Sequence, residues 1–295
     1  MEVGRPSTTA VMMAVLRAHH YLTTQEPRIL TDPLAMTLAG VTSPVLIQEY
    51  VEGIVRALMA FGDRNAAETS VRALTTGTCV RSRFAEDQLA ASVTRGVQQL
   101  IILGAGLDSM PYRSADVTAG LRIFEVDYPA TQDWKRQRLV SGGVPMPTNL
   151  TFVPFDFERQ TLADALATWG VRFDTPSFFC WLGVQPYLTV DAVMSTLDVV
   201  ARFPSGSELV LDILTPERDG DERMSEGGRS LLASLGEPFK SRFERNEFAA
   251  QLERRGFTRI EMVSTHDWLR RNSARFGGRF SAELGPALLV TALVS

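Results

Sequence analysis

Two glycines and an aspartate follow an apolar run in the stretch 100–113, LIILGAGLDSMPYR. Gly104 and Gly106, with Ala105 between them, end that run on residues with little or no side chain. The chain can turn sharply there, and a ligand can approach the backbone closely. Glycines also end strands that bind nothing, so the pair alone is weak evidence. We interpret the stretch as a candidate ligand-binding turn.

Two further apolar runs end in acidic residues. RIFEVD ends in Asp127, about 20 residues beyond the turn, where a carboxylate can accept hydrogen bonds from both hydroxyls of a ribose. LTFVPFDF ends in Asp156 and Phe157, which suit the exocyclic amine and the ring face of an adenine. The three run ends together predict a bound adenosine.

The residues after the turn help to choose between adenosine cofactors. A dinucleotide site usually has a third glycine for close helix packing, and Ser109, Met110 and Pro111 stand there instead. Asp108 would repel a pyrophosphate but suits the ammonium and sulfonium of S-adenosylmethionine. The pattern favours S-adenosylmethionine over NAD. An NAD-linked Rossmann oxidoreductase and a non-catalytic adenosine-binding module are the alternatives.

The elements that position these residues alternate between short apolar runs and helix-length segments, which is typical of an α/β fold with a mostly parallel sheet. The last two of seven predicted strands are expected to pair antiparallel, and the polar segment 267–284 between them is predicted to be a long loop. The predicted strands are 98–104, 122–127, 150–156, 177–183, 207–214, 258–264 and 287–294. Helices are predicted over 131–141, 160–170, 189–203 and 245–257.

Residues 1–95 differ from the rest because their apolar residues follow helical spacing and no strand is evident. Helices are predicted there over 8–22, 32–40, 45–62 and 81–93. We predict a helical N-terminal cap over 1–95 and one cofactor-binding catalytic domain over 96–295. The charged, glycine-rich segment 215–230 follows the fifth strand and is a candidate mobile loop.

Composition excludes several classes of protein. The 295 residues are 45% hydrophobic and 22% charged, with a net charge of −4 and scattered basic residues, so we expect no nucleic-acid partner and no membrane span. No signal peptide is evident, and Cys79 and Cys180 are far apart, which predicts a cytoplasmic protein with free thiols. No residues have the spacing of metal ligands.

Six segments together resemble the leucine carboxyl methyltransferase family, and in particular its bacterial O-methyltransferases of polyketide-biosynthesis or mycobacterial type. The segments are RAHHYL, LTDPLAMTLAG, RSRFAEDQL, ILGAGLDSMPYR, FEVDYPATQDWKRQRL and WLGVQPYLT. The resemblance implies a class I methyltransferase sheet with S-adenosylmethionine as the cofactor.

The resemblance also implies roles for individual residues. Arg81, or Arg83 as the alternative, would hold the cofactor carboxylate. Gly104 and Gly106 would underlie its methionine part, Asp127 its ribose, and Asp156 with Phe157 its adenine. Leu182 stands where eukaryotic members have a glutamate near the cofactor.

Methyl transfer from a sulfonium needs chiefly alignment, and a carboxylate acceptor needs no general base, whereas a hydroxyl usually does. None of His19, His20 and His266 is convincingly placed as a base.

Tyr187 and Arg113 are the catalytic candidates. Each also has a structural alternative: Tyr187 could belong to a structural turn, and Arg113 could tie the glycine turn to the next helix. Lys135 and Arg136 are expected on a solvated helix face. The sequence predicts an O-methyltransferase acting on a small molecule, and it does not identify the acceptor or the oligomeric state.

Overall fold

The computed structural model describes residues 7–216, 237–278 and 287–295 of the chain. Their strands form one seven-stranded sheet in the order β3-β2-β1-β4-β5-β7-β6. The strands are β1 (Gln99–Leu103), β2 (Arg122–Asp127), β3 (Leu150–Pro154), β4 (Ser177–Trp181), β5 (Glu208–Leu214), β6 (Phe257–Ser264) and β7 (Ala287–Val294). Strands β1 to β5 pair parallel, and β7 pairs antiparallel with both β5 and β6. The predicted α/β fold with an antiparallel last strand is confirmed.

The central strands are apolar throughout because both faces of the sheet are covered. Every residue of β1 and β4 is buried. Alternate side chains of a strand point to opposite faces, and they accordingly divide between two clusters of buried hydrophobic residues. One cluster contains Ile101, Leu103, Phe179 and Trp181, and the other contains Leu100, Ile102, Phe178 and Cys180.

Helices precede the sheet and alternate with its strands. They are α1 (Thr8–Thr23), α2 (Ala35–Ala39), α3 (Pro44–Leu58), α4 (Arg64–Thr94), α5 (Met110–Arg113), α6 (Ala115–Thr118), α7 (Pro129–Ser141), α8 (Leu162–Thr168), α9 (Val190–Val200), α10 (Arg245–Arg254) and α11 (Thr265–Asn272). Helix α4 is 31 residues long, whereas the sequence predicted only its second half. Its first half contains several threonines and Gly77, which lower helix propensity and hide the pattern.

The prediction of a long loop over 267–284 is wrong for its first part. Helix α11 begins at Thr265, with the side chain of Ser264 accepting a hydrogen bond from the backbone N–H of Asp267, and a 3₁₀ turn continues to Phe276. The helix buries Trp268, whose ring meets Phe84 of α4 edge-on. Only two of its eight residues are apolar, so the sequence has too few apolar residues to show the spacing of a helix.

Other expectations lie partly outside the described residues. Of the candidate mobile loop 215–230, only residues 215 and 216 are described. In the ranges that the structure covers, no helix is long and apolar enough to cross a membrane. Cys79 and Cys180 are both buried and free.

Candidate functional site

Five parallel strands end at one edge of the sheet, in the order β3-β2-β1-β4-β5. The predicted cofactor residues lie at these adjacent ends: the glycine turn after β1, Asp127 at the last position of β2, Asp156 and Phe157 after β3, and Leu182 after β4. In open α/β sheets, ligands bind in the crevice outside the carboxyl ends of the strands. The structure therefore brings these side chains to the edge where a ligand is expected.

Asp127 is joined directly to the glycine turn. One carboxylate oxygen accepts a hydrogen bond from the backbone N–H of Gly106, and the other accepts one from Tyr128 at 2.6 Å. Burial raises the pKa of Asp127, although both N–H donors act in the opposite direction. A carboxylate has about four acceptor positions, so two remain for other donors.

Gly104 is required by packing as well as by the turn. Its φ of +64° lies in the left-handed region, and a side chain there would overlap Val184 in the loop after β4. The turn also carries the contact with the N-terminal helices, because the guanidinium of Arg17 in α1 donates to the carbonyl of Leu107 at 2.6 Å.

The two candidate arginines of α4 have different surroundings. Arg81 Nη1 lies 3.4 Å from a carboxylate oxygen of Asp212 in β5, and its guanidinium covers Gly183 in the loop after β4. Arg83 instead pairs with Asp87 at 2.8 Å and lies over the ring of Phe276. Of the two arginines, Arg81 therefore lies at the carboxyl edge of the sheet.

Tyr187 lies in a 3₁₀ turn after β4, and its ring is 5.5 Å from that of Phe239. Its polar surroundings include Arg81, Glu237 and Thr9, and burial raises the pKa of its hydroxyl to about 12. The phenol therefore stays protonated at neutral pH and can donate a hydrogen bond, but it is a poor general base.

The N-terminus of α1 holds the carboxylate of Glu237. That carboxylate accepts hydrogen bonds from Ser7 Oγ at 3.1 Å, from the backbone N–H of Thr8 at 3.1 Å, and from the Thr9 hydroxyl. A negative charge is stabilised at a helix N-terminus by the unpaired N–H groups and the helix dipole. This contact joins α1 to the residues next to Tyr187.

Arg113 is engaged by other residues of the protein. Its guanidinium forms an ion pair with Glu86 in α4, donates to Ser109 Oγ at 2.8 Å, and lies 3.9 Å from Asp32. These contacts correspond to the structural alternative, in which Arg113 ties the turn to neighbouring helices. A direct role for Arg113 in chemistry stays a prediction.

The adenine candidates lie beside an aromatic surface. The half-buried ring of Phe157 lies nearly parallel to that of Trp181 in β4, with 6.5 Å between centroids and 11° between planes. Asp156 accepts a hydrogen bond from the backbone N–H of Glu158 at 3.0 Å and is partly exposed. The indole N–H of Trp181 is buried without a partner among the described residues.

The three histidines, all in the described part of the chain, lie away from Tyr187. His19 is ten residues beyond Thr9 in α1, or about 15 Å along the helix axis. Burial, with Arg28 adding to it, lowers the pKa of His20 to about 4. His266 is partly exposed and follows β6, three strands away from β4, or about 14 Å.

Two charged residues, Asp212 and Glu237, were missed from the sequence, and a third, Lys135, was misplaced. Lys135, expected on a solvated face, is buried and pairs with Glu125 at 2.8 Å, whereas its neighbour Arg136 is exposed as expected. Asp212 could have been identified from the sequence, because it is an acid inside the apolar run SELVLDIL. No comparable sequence pattern marks Glu237.

Within the described ranges, no group of three or more His, Cys, Asp or Glu side chains could hold a metal ion.

Comparison with known proteins agrees with this geometry. The chain is 30% identical over 281 residues to YktD of Bacillus subtilis (strain 168), which is named as an S-adenosyl-L-methionine-dependent methyltransferase, and the match covers 90% of this chain and 91% of that protein. It is 31% identical over 217 residues to a protein of Mycobacterium tuberculosis (strain H37Rv) with a name of the same kind, covering 72% of this chain and 68% of the relative.

Two solved structures share the fold. A protein of Thermobifida fusca YX described as a methyltransferase superposes with a TM-score of 0.58 at 16% identity, covering 100% of this chain and 97% of that one. A DUF574 family protein of Streptomyces avermitilis MA-4680 gives a TM-score of 0.60 at 17% identity, covering 82% and 97%. At these identities, the similarity establishes the fold alone.

The model of the leucine carboxyl methyltransferase family matches residues 10–201, which include most of α1, the glycine turn, Asp127 and Tyr187. This range is more than half of the chain, and the match to the Bacillus protein spans nearly its whole length. The chain therefore belongs to the leucine carboxyl methyltransferase family.

Proposed function

We propose that this protein, an S-adenosylmethionine-dependent methyltransferase, transfers the methyl group to an oxygen atom of a small organic molecule. The observation that carries the proposal is the set of groups at adjacent strand ends, each suited to one part of the cofactor. In the proposal, Arg81 faces the carboxylate of the cofactor, the glycine turn its methionine part, Asp127 its ribose, and Asp156 with Phe157 its adenine.

The residues present fit the cofactor. Asp127 keeps free acceptor positions beside the glycine turn, and the Arg81 side chain is 22% exposed. When bound, S-adenosylmethionine supplies an electrophilic methyl group on a sulfonium, so the protein's own contribution is alignment and exclusion of water. The helices of residues 1–95 provide that exclusion as a cap, and residues 96–295 provide the binding domain.

A carboxylate is the acceptor that suits these surroundings better. It is already ionised at neutral pH and needs no base, whereas an alcohol or phenol usually does. The histidines lie far from Tyr187, and the protonated phenol of Tyr187 can orient an acceptor oxygen by donating a hydrogen bond to it. Tyr187 is thus proposed to align the acceptor rather than to remove a proton.

Calorimetry and turnover test the proposal. S-adenosylmethionine and S-adenosylhomocysteine should each bind at one site per chain, and NAD should not bind. Transfer of labelled methyl from S-adenosylmethionine to a panel of small carboxylic acids and phenols should then yield an ester or ether. Binding of NAD alone would support the oxidoreductase instead, and binding without any transfer would support the non-catalytic alternative.

Asp127→Ala should weaken S-adenosylmethionine binding about ten-fold or more, because hydrogen bonds to a charged acceptor contribute roughly 1.5 to 3 kcal/mol. The substitution also removes the carboxylate oxygen that accepts a hydrogen bond from the backbone N–H of Gly106. Titration calorimetry measures the affinity, and Asp133→Asn, on the exposed face of α7, is the control that should bind normally. An Asp127 variant that is folded and binds with unchanged affinity would exclude the ribose role.

Single replacement of His19, His20 or His266 by asparagine should leave the rate of methyl transfer within about ten-fold of the wild type, since a carboxylate has no proton to remove. Single-turnover rates on an identified acceptor measure this step, with circular dichroism to confirm folding. A loss of about 100-fold or more with unchanged binding for one variant would indicate general base catalysis and a hydroxyl acceptor.

A further inference from the structure

Asp212 is a buried acid at the carboxyl edge of the sheet. It follows Leu211, which pairs with Trp181 in the last register position between β4 and β5, and it is 6% exposed. A buried carboxylate is costly unless charged or hydrogen-bonding partners compensate for the loss of water. Asp212 is therefore expected to have charged or hydrogen-bonding partners.

The two oxygens of Asp212 contact two different elements. Oδ1 accepts a hydrogen bond from the backbone N–H of Gly183 at 2.5 Å, and Oδ2 lies 3.4 Å from Nη1 of Arg81. One side chain on β5 thereby links the loop after β4 to α4 of the N-terminal helices. This link passes through the arginine that we propose for the cofactor carboxylate.

Gly183 confines the same guanidinium from a second side. Its φ is +67°, and an added Cβ would lie 2.8 Å from Arg81 Nη2 and 3.0 Å from Cζ. Arg81 thus rests against Gly183 while Asp212 holds one of its five N–H donors. The structure gives the other donors no ion pair or hydrogen bond with the described residues, and the side chain is 22% exposed.

We propose that Asp212 is a positioning residue that fixes the guanidinium of Arg81 for the carboxylate of S-adenosylmethionine. The inference rests on the proposed function. A long arginine side chain that is already held loses less conformational freedom when a ligand binds. The negative charge of Asp212 would repel the cofactor carboxylate but attract the adjacent ammonium. Because these two electrostatic effects oppose each other, we expect the positioning of Arg81 to determine the net change in affinity.

Two ligands that differ only at the methionine end test this role. S-adenosylhomocysteine carries the amino-acid end, whereas 5′-methylthioadenosine has the same adenosine and thioether without it. Asp212→Asn keeps an acceptor for the Gly183 N–H but loses the charge that holds Arg81. We expect the variant to bind S-adenosylhomocysteine about ten-fold more weakly and methylthioadenosine within about two-fold of the wild type.

A double-mutant cycle tests whether Asp212 acts through Arg81. In an Arg81→Gln background, Asp212→Asn should change S-adenosylhomocysteine affinity by less than about two-fold, because the group that it positions is gone. Glu208→Gln is the matched control. It alters another buried carboxylate on β5, which pairs with Arg95 at the opposite end of the strand, and it should leave the ratio of the two affinities unchanged.

Several results would overturn the inference. Equal weakening of both ligands by Asp212→Asn would indicate a general loss of structure, and an undiminished effect in the Arg81→Gln background would indicate that Asp212 acts without Arg81. A wild-type protein that binds neither ligand would refute the proposed function itself, and the inference with it.

Discussion

Asp32→Asn should lower the free energy of unfolding by about 3 to 5 kcal/mol, the cost typical of removing one partner from a buried ion pair. Asp32 is fully buried, pairs with Arg17 of α1 at 2.9 Å, and lies 3.9 Å from Arg113. Asparagine has nearly the same size, so the loss is one of charge. Urea denaturation of the two proteins at neutral pH measures the difference.

The pH dependence of that difference provides a check. Burial tends to raise the pKa of Asp32, but Arg17 and then Arg113 outweigh it, and the pKa lies below its ordinary value of 3.8. A depressed carboxyl pKa stabilises the folded state above the ordinary value, and this stability is lost as the pH falls through the folded-state pKa. The gap between wild type and Asp32→Asn should therefore narrow in strong acid.

Asp174→Asn is the control, because this exposed carboxylate pairs with the exposed Arg172 at 3.4 Å. Such pairs contribute at most about 1 kcal/mol, and often nothing measurable. If Asp32→Asn were no more destabilising than this control, the buried contact between α1 and the segment before α2 would not be important for stability.

The sheet could be predicted from the sequence because its signals are local. Each central strand is a short apolar run, and such runs separated by helix-length segments imply parallel pairing. The carboxyl-edge residues followed from the same pattern, since Gly104, Asp127 and Asp156 end consecutive runs. Helix α11 was missed because only two of its eight residues, Trp268 and Leu269, are apolar, and the first half of α4 was missed because its threonines and Gly77 lower helix propensity.

The pairing of charged residues could not be predicted from the sequence. Several residues of the recognised motifs take part in such pairs. Three ion pairs lie within or between the segments on which the family resemblance rested. Arg17 with Asp32 and Glu125 with Lys135 are buried, and Glu86 with Arg113 is partly buried. The partners are 10 to 27 residues apart in the sequence, and no local pattern matches them to each other. Several of the recognisable motif residues in this chain thus form ion pairs within the protein.

Lys135 illustrates the limit of local patterns. It lies in the basic, polar segment DWKRQRL, whose composition indicates a solvated helix face. In the fold, α7 turns this lysine toward Glu125 on β2, and both side chains are 1% exposed. The neighbouring Gln132 is buried too and donates to the carbonyls of Glu125 and Val153. A tertiary contact, rather than the helix sequence, determines where the charge lies.

Lys135→Met should destabilise the protein by about 3 to 5 kcal/mol at about pH 8.5, because it leaves the Glu125 carboxylate buried without its cation. Burial already raises the pKa of Glu125 to about 7, with Lys135 the first of the opposing influences, so removal of Lys135 raises that pKa further. A carboxyl with a raised pKa stabilises the folded state below its ordinary value, and this stability is lost as the pH rises through the folded-state pKa.

The cost of Lys135→Met should therefore grow with pH. Toward about pH 5.5, protonation of Glu125 removes the charge that Lys135 compensates, and the wild type then carries a buried ammonium without its anion. The two urea midpoints should therefore lie closer together than at about pH 8.5. The double variant Glu125→Gln, Lys135→Met buries no charge, and its difference from the wild type should change less between the two pH values than that of the single variant. A cost for Lys135→Met that is equal at both pH values and equal to that of the double variant would show that packing of the lysine stem, rather than its charge, stabilises α7 against the sheet.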